Sequence, residues 1–260
     1  MCPRNGVLSA VVALAAPAVA LGLSPEEARQ LGDTLTPIGA ERAGNADGTI
    51  PEYAGGLTRA PASFVPGSGR RPDPFAGEKP LFSIDSRTAA THAERLSAGT
   101  RALLERYPDF RLDVYPTHRT VAFPPFVIEN TLRSATSART ANGGLSLAGV
   151  RAAYPFPIPK TGHEAMWNHL VRYTALCDER GISAYHVATS GGATLSGAAR
   201  ILESYPYWDP AAKDLNTYFR LRIRYVGPPR LAGSALMLVD PVDYVRRGRR
   251  AWQYLPGQRR

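Results

Sequence analysis

The sequence predicts an α+β fold whose main sheet is antiparallel and lies near the C-terminus. The stretch TYFRLRIRYV, which begins at Thr217, alternates apolar and Arg side chains without a fault. A period of two is that of a β-strand with one apolar and one charged face. A turn-like GPPRLAG, the apolar run SALMLVD and, after a polar loop, RAWQYLPGQ follow. Residues 217–257 therefore predict a meander of three antiparallel strands.

Shorter elements are expected before the meander. Ser24, followed by Pro25 and Glu27, has the pattern of a capping box, so a short helix begins there. Further helices are predicted within residues 87–106, in FVIENTLRSA and over residues 163–173. Strands are predicted in a hairpin of RLDVY with RTVAF and around residues 174–178, 182–190 and 193–202.

The chain divides into three segments. In residues 1–20 one Arg precedes an apolar run, and Ala18-Val19-Ala20 supplies a small-x-small cleavage pattern. This pattern predicts a secretory signal peptide and a periplasmic protein, for which association with the outer membrane is a further option; an uncleaved anchor is the alternative. Residues 21–86 predict an extended N-terminal strap with one short helix, since Gly, Pro, Asn and Asp interrupt them. Residues 87–260 predict the helices and the meander, which form one domain with the strap.

Positive charge is concentrated in the meander. Residues 220–260 contain ten Arg and two Asp, and Lys occurs in the whole chain only at positions 79, 160 and 213. A GC-rich genome would explain the excess of Arg, and so would anionic partners, because guanidinium groups pair with phosphate and carboxylate. The sequence has no zinc-finger spacing and no RNP motif. Together with export, this argues against nucleic acid and favours acidic lipid head groups.

No catalytic residue, metal site or cofactor is predicted. His163 and His169 are six residues apart, whereas a metal pair on one helix needs a spacing of four. Ser190 precedes a Gly-Gly turn but is not in a G-x-S-x-G motif, and there is no nucleotide-binding glycine motif. Asp109 and Asp113 remain open as a carboxylate pair that no pattern selects.

The candidate binding site is the apolar face of the meander. Curved sheets with more apolar area than one helix covers are where half-barrels hold ligands. The side chains predicted to share this face are Phe219, Leu221, Ile223, Tyr225, Leu236, Leu238, Trp252 and Tyr254. For each aromatic residue an ordinary core position is the alternative. The arginines predicted at the rim, where they would meet anionic head groups, are Arg230, Arg246, Arg247, Arg249 and Arg250.

Several stretches carry a resemblance to a known family. They are LTPIGAERAGNADGTIPEYAGGL, DPFAGEKPLFSI, RALLERYPDFRLDVYPTHRT, PFPIPKTGHEAMWNHLVRY, RLAGSALMLVD and RAWQYLPGQRR. They resemble exported proteobacterial proteins of unknown function that are labelled outer-membrane lipoprotein-sorting proteins, with a fold like that of the lipoprotein carrier LolA. The resemblance implies an antiparallel half-barrel covered by helices around an acyl-chain cavity. Similar proteins continue past QYLPGQRR, so the expected half-barrel lacks its C-terminal strands.

Three functions are compatible with these features. The leading hypothesis is a non-catalytic periplasmic carrier of lipid or acylated peptide destined for the outer membrane. The resemblance further implies an inner-membrane exporter or an outer-membrane component as partner. The alternatives are an exported hydrolase acting on envelope lipid or glycan, and a scaffold protein at the outer membrane.

Overall fold

The computed structural model describes residues 22–258. The predicted signal peptide, residues 1–20, lies outside the described residues. Contacts divide the chain into two units, one made of residues 33–36 and 40–124 and the other of the remaining described residues. The helices are α1 Pro25–Arg29, α2 Ala98–Arg106, α3 Pro125–Ser134 and α4 Gly162–Leu170, with 3-10 helices at Ala89–Arg95 and Asn142–Gly144.

The strands are arranged in antiparallel sheets. The two small sheets pair β1 Phe82–Ile84 with β2 Leu112–Val114, and β3 Arg139–Ala141 with β4 Ser146–Ala148. The main sheet consists of β5 Cys177–Val187, β6 Ala193–Ser204, β7 Thr217–Gly227, β8 Ala235–Pro241 and β9 Arg250–Tyr254, in that order. This arrangement confirms the α+β class and the antiparallel meander.

Two strand predictions are wrong. The sequence predicts a break at Arg180 and Gly181, but β5 runs through both, because Gly181 pairs with Arg200 inside a long regular ladder. The hairpin of RLDVY with RTVAF does not form, because Leu112–Val114 pairs with Phe82–Ile84 instead. The RTVAF segment instead forms a backbone hydrogen bond with an earlier loop, in which the Thr120 carbonyl accepts from the Leu57 amide at 2.9 Å.

A cluster of buried aromatic side chains forms the core near α4. Trp208 is 1% exposed and donates its Nε1–H to the Val171 carbonyl at 2.9 Å. Its ring packs against those of Tyr154, Tyr173 and Tyr207. Trp167 donates to the Gly144 carbonyl at 2.9 Å and meets the Tyr218 ring edge-on. Both indoles are thus buried with their donors satisfied, which is the ordinary core position that sequence reasoning left open.

Arg119 organises the turn-rich unit of residues 40–124. Its Nη2 donates to the Glu41 carbonyl at 2.6 Å, and its Nη1 to the Arg42 carbonyl at 3.0 Å. The guanidinium also lies over the Tyr53 ring, 5.4 Å from the centroid. The Tyr53 hydroxyl donates to the Val121 carbonyl at 2.8 Å. One planar cation therefore binds two successive carbonyls, as a planar fork of donors can, and the Arg42 carbonyl also accepts from the Tyr53 amide at 2.9 Å.

We expect Arg119→Lys to destabilise this unit. An ammonium group cannot serve two carbonyls and stack on Tyr53 at once, so the free energy of unfolding should fall by about 1–2 kcal/mol. Urea denaturation and amide hydrogen exchange of the Tyr53 amide would measure the loss. Arg111→Lys is the matched control, since Arg111 is exposed and pairs with Asp113 at 3.3 Å. Equal effects of the two variants would contradict this role.

Candidate functional site

One face of the main sheet carries the predicted apolar side chains of β7 and β8. The register sets Ile223 between Ile201 of β6 and Leu236 of β8, and it sets Leu221 beside Leu238. Each strand alternates, so these side chains share one face, which we call the apolar face. Its members are Ala199, Ile201, Phe219, Leu221, Ile223, Tyr225, Leu236 and Leu238. The six from β7 and β8 are half-buried rather than sealed in a core.

The assignment of Trp252 and Tyr254 to this face needs correction. Trp252 pairs with Met237 and Tyr254 pairs with Ala235, so both lie on the opposite face. There they are 45% and 46% exposed. The register of β9 differs by one residue from the one that the sequence predicts, and a shift of one residue moves every side chain of a strand to the other face. The apolar face receives Ala251 and Gln253 from β9 instead.

The main sheet contains three irregularities that favour curvature. Its register shifts between Ala184 and Tyr185, between Ala198 and Ala199, and between Thr217 and Phe219. A β-bulge bends its strand and increases the local twist. Irregularities of this kind favour curvature near the apolar face, and curvature is a feature of sheets that enclose a ligand.

A buried ion pair lies at one end of the apolar face. Asp240, the register partner of Phe219, is 1% exposed. It accepts two hydrogen bonds from the Arg249 guanidinium, at 2.6 Å from Nε and 2.8 Å from Nη2. These bonds raise the pKa of Arg249 above its usual value, although burial works against the charge. The Arg249 side chain is itself 55% exposed, so it borders both the buried carboxylate and solvent.

A second polar cluster lies on the same face, on β5 and β6. Arg180 contacts Glu203 at 2.9 Å and also pairs with Asp178. The hydrogen bond with Glu203 is the main reason that the pKa of Arg180 is raised. Tyr205 donates its hydroxyl to Glu203 at 2.8 Å, and its ring lies 5.5 Å from that of Phe219. Charged and aromatic groups thus meet at the border of the apolar face.

The five predicted rim arginines have different surroundings. Arg249 pairs with Asp240, and Arg247 pairs with Asp214 at 3.4 Å. Arg230 donates to the Ser196 carbonyl at 3.2 Å. Arg250 lies over the Trp252 ring at 5.6 Å, on the face opposite the apolar one. Arg246 is exposed in the loop before β9, where its amide donates to Asp243. The structure thus does not gather these side chains into one rim.

Sequence reasoning missed a His–Glu pair in the turn-rich unit. His118 Nε2 lies 2.7 Å from Glu78 Oε1, and its ring stacks on Phe75 with centroids 3.8 Å apart. His118 and Phe75 line a shallow cleft of about 210 Å³. Neither residue lies in a periodic pattern or near the other in sequence, so no sequence signal pointed to them. No described hydrogen bond joins His118 to a hydroxyl or thiol, and residues 22–258 contain no cluster of His, Cys, Asp and Glu placed to hold a metal ion.

Comparison with known proteins identifies the family. The model of the family "Protein of unknown function (DUF1329)" matches residues 83–260. The chain belongs to the DUF1329 family. It is also 37% identical to the Pseudomonas aeruginosa protein described as "Uncharacterized protein PA3922", over 99% of this chain and 56% of that protein. The chain thus spans about half the length of that relative. No solved structure matches.

The described part of this DUF1329 protein includes no helix that is both long enough and apolar enough to span a bilayer.

We expect Arg249→Gln to destabilise the main sheet. The variant removes the charged partner of the buried Asp240, and the free energy of unfolding should fall by about 1–3 kcal/mol. Urea denaturation measures this change. The neighbouring Arg250→Gln removes the same charge from an exposed side chain and should change stability by less than about 0.5 kcal/mol. A loss as large in Arg250→Gln as in Arg249→Gln would refute the importance of the buried pair.

Proposed function

We propose that the protein is a non-catalytic binding protein for lipid or acylated cargo, whose acyl chains lie on the apolar face. The observation that carries the proposal is the row of half-buried apolar side chains that β7 and β8 hold side by side. Such side chains are shielded enough to be ordered and open enough to receive a ligand. Each methylene that an acyl chain buries there would contribute about 0.8 kcal/mol.

The polar border of the apolar face supports an amphiphile rather than a purely apolar ligand. Arg249 is held by Asp240, yet more than half of its side chain is exposed. A head group near Phe219 would find guanidinium donors there, while the tail continued toward Tyr225. Because Asp240 compensates the charge of Arg249, this end offers hydrogen bonds more than net charge. The proposal therefore covers acylated peptides as well as lipids.

We further propose that the protein works in the periplasm and passes its cargo toward the outer membrane. Two features support this location: the signal-peptide pattern of residues 1–20 and the resemblance to lipoprotein-sorting proteins. An inner-membrane exporter and an outer-membrane component are the partners that such a route needs. A half-barrel covered by helices is the finer fold proposed for the protein, and the register shifts of the antiparallel sheet support this proposal.

One observation favours the hydrolase alternative. The contact between His118 and Glu78 orients an imidazole at the wall of a cleft, as a general base requires. A hydrolase of the covalent type also needs a nucleophile within hydrogen-bond reach of that base. No such contact involves His118 among the described residues. The binding of acylated cargo on the apolar face is therefore better supported than hydrolysis at His118.

We expect Leu238→Ala to weaken acyl-chain binding. The side chain lies on the apolar face beside Leu221, and its truncation should lower the affinity for a fluorescent fatty acid roughly five- to ten-fold, given the area removed. Val239→Ala is the matched control, because Val239 is the next residue of β8, is also half-buried and faces the other way. The measurement is a fluorescence titration of the folded variants.

Equal affinities of the Leu238→Ala and Val239→Ala proteins for the fluorescent fatty acid would contradict the proposal. Native mass spectrometry of the protein purified from periplasmic extract provides a second test. Bound lipid or acylated peptide supports the carrier and gives its cargo class. A folded protein that carries no cargo and loses a hydrolytic activity on His118→Gln favours the hydrolase instead.

A further inference from the structure

The face of the main sheet opposite the apolar face is rich in arginine and exposed. Arg220, Arg222 and Arg224 of β7 project from it, and all three are exposed. The register sets Arg220 in one row with Val239 and Arg250, and Arg222 in one row with Met237 and Trp252. We call this surface the arginine face, and its members are Arg200, Arg220, Arg222, Arg224, Met237, Val239, Arg250, Trp252 and Tyr254.

The positive charge of the arginine face is only partly balanced. Arg200, the register partner of Arg224, pairs with Glu179 at 3.6 Å on this face. The hydrogen bond from Thr217 is the main cause of the lowered pKa of Asp214. The charge of Arg220, which lies near, adds to it. Among residues 22–258 no carboxylate lies within 4.0 Å of Arg222 or Arg224. Like charges so close together favour an external anion.

Exposed aromatic and apolar side chains lie between these arginines. Trp252, Tyr254 and Met237 are 45%, 46% and 41% exposed. The Arg250 guanidinium lies over the Trp252 ring, 5.6 Å from its centroid. Trp and Tyr combine an apolar ring with a polar tip and are enriched where proteins meet the membrane–water interface. The arginine face thus combines the cations and the rings that such an interface accommodates.

We propose that the arginine face docks on the surface of an anionic phospholipid bilayer. Guanidinium groups would pair with lipid phosphates, while Trp252 and Tyr254 would enter the head-group layer. Bases of a single-stranded nucleic acid could also stack on these rings, but the export expected from residues 1–20 favours a lipid surface. The docking surface is independent of what the apolar face holds, because alternate residues of the same strands form the two faces.

Vesicle binding tests the proposal with a reporter that the chain already contains. Trp167 and Trp208 are buried, whereas Trp252 is exposed, so a change in tryptophan emission on binding reports on the arginine face. The full chain is mixed with phosphatidylcholine vesicles that contain or lack phosphatidylglycerol. We expect binding only to the anionic vesicles, a blue shift of the emission, and weaker binding at higher salt.

Charge-matched variants identify the surface. Arg222→Gln with Arg224→Gln should weaken binding to anionic vesicles about 25-fold, at about one kcal/mol for each arginine. The control, Arg59→Gln with Arg101→Gln, removes the same charge from exposed positions outside the sheet and should bind like the parent. Leu238→Ala should also bind vesicles like the parent, which separates docking from cargo binding. Circular dichroism confirms that each variant is folded.

Four outcomes would overturn the proposal. The first is equal binding to neutral and anionic vesicles. The second is equal weakening by the two double variants, which would indicate net charge rather than this face. The third is capture by RNA or polyphosphate without binding to vesicles, which would identify a polyanion as the partner. A Trp252→Phe variant that binds vesicles and keeps the full blue shift would place the contact elsewhere.

Discussion

The alternation of β7 is the constraint on which the main sheet depends. β7 is the central strand, so both of its neighbours must match its pattern. Three arginines in alternate positions cannot face an apolar ligand or core, because burying an unpaired guanidinium is costly. Ile201 of β6 and Leu236 of β8 therefore flank Ile223, and the arginines face outward. A slip of one residue against β8 would set Arg222 beside Leu236 or Leu238.

Features that depend on neighbours in sequence could be predicted. The capping box at Ser24 begins α1 as expected, with the Glu27 amide donating to the Ser24 hydroxyl at 3.2 Å. β7 and β8 follow from periodicity, because a strand with two unlike faces has one acceptable orientation. β9 was predicted as a strand but with the wrong phase. Its Trp and Tyr side chains suit an apolar face and a solvent-exposed face equally, so periodicity alone could not predict which face they occupy.

The turn-rich unit shows why the rest could not be predicted. Arg119 bonds to carbonyls more than 65 residues away in sequence, and His118 meets Glu78 across the same loops. Such contacts lie outside any β-ladder. Any nearby side-chain donor of suitable length could form the same hydrogen bonds. Neither composition nor spacing selects which arginine or histidine does so. The same holds for the pairing of β1 with β2, where three-residue strands carry too short a pattern to fix a partner.

The loop before β9 determines which side chains of β9 lie on each face of the sheet. Asp243 anchors the start of this loop: it accepts hydrogen bonds from the Arg246 amide and the Ser146 hydroxyl, which lower its pKa. At the end of the loop, Arg249 reaches Asp240 on the apolar face. Arg250, the next residue, must then point to the opposite face, and alternation carries Trp252 with it. One ion pair therefore keeps the indole off the apolar face and among the arginines, so that the two surfaces of the sheet are specified together.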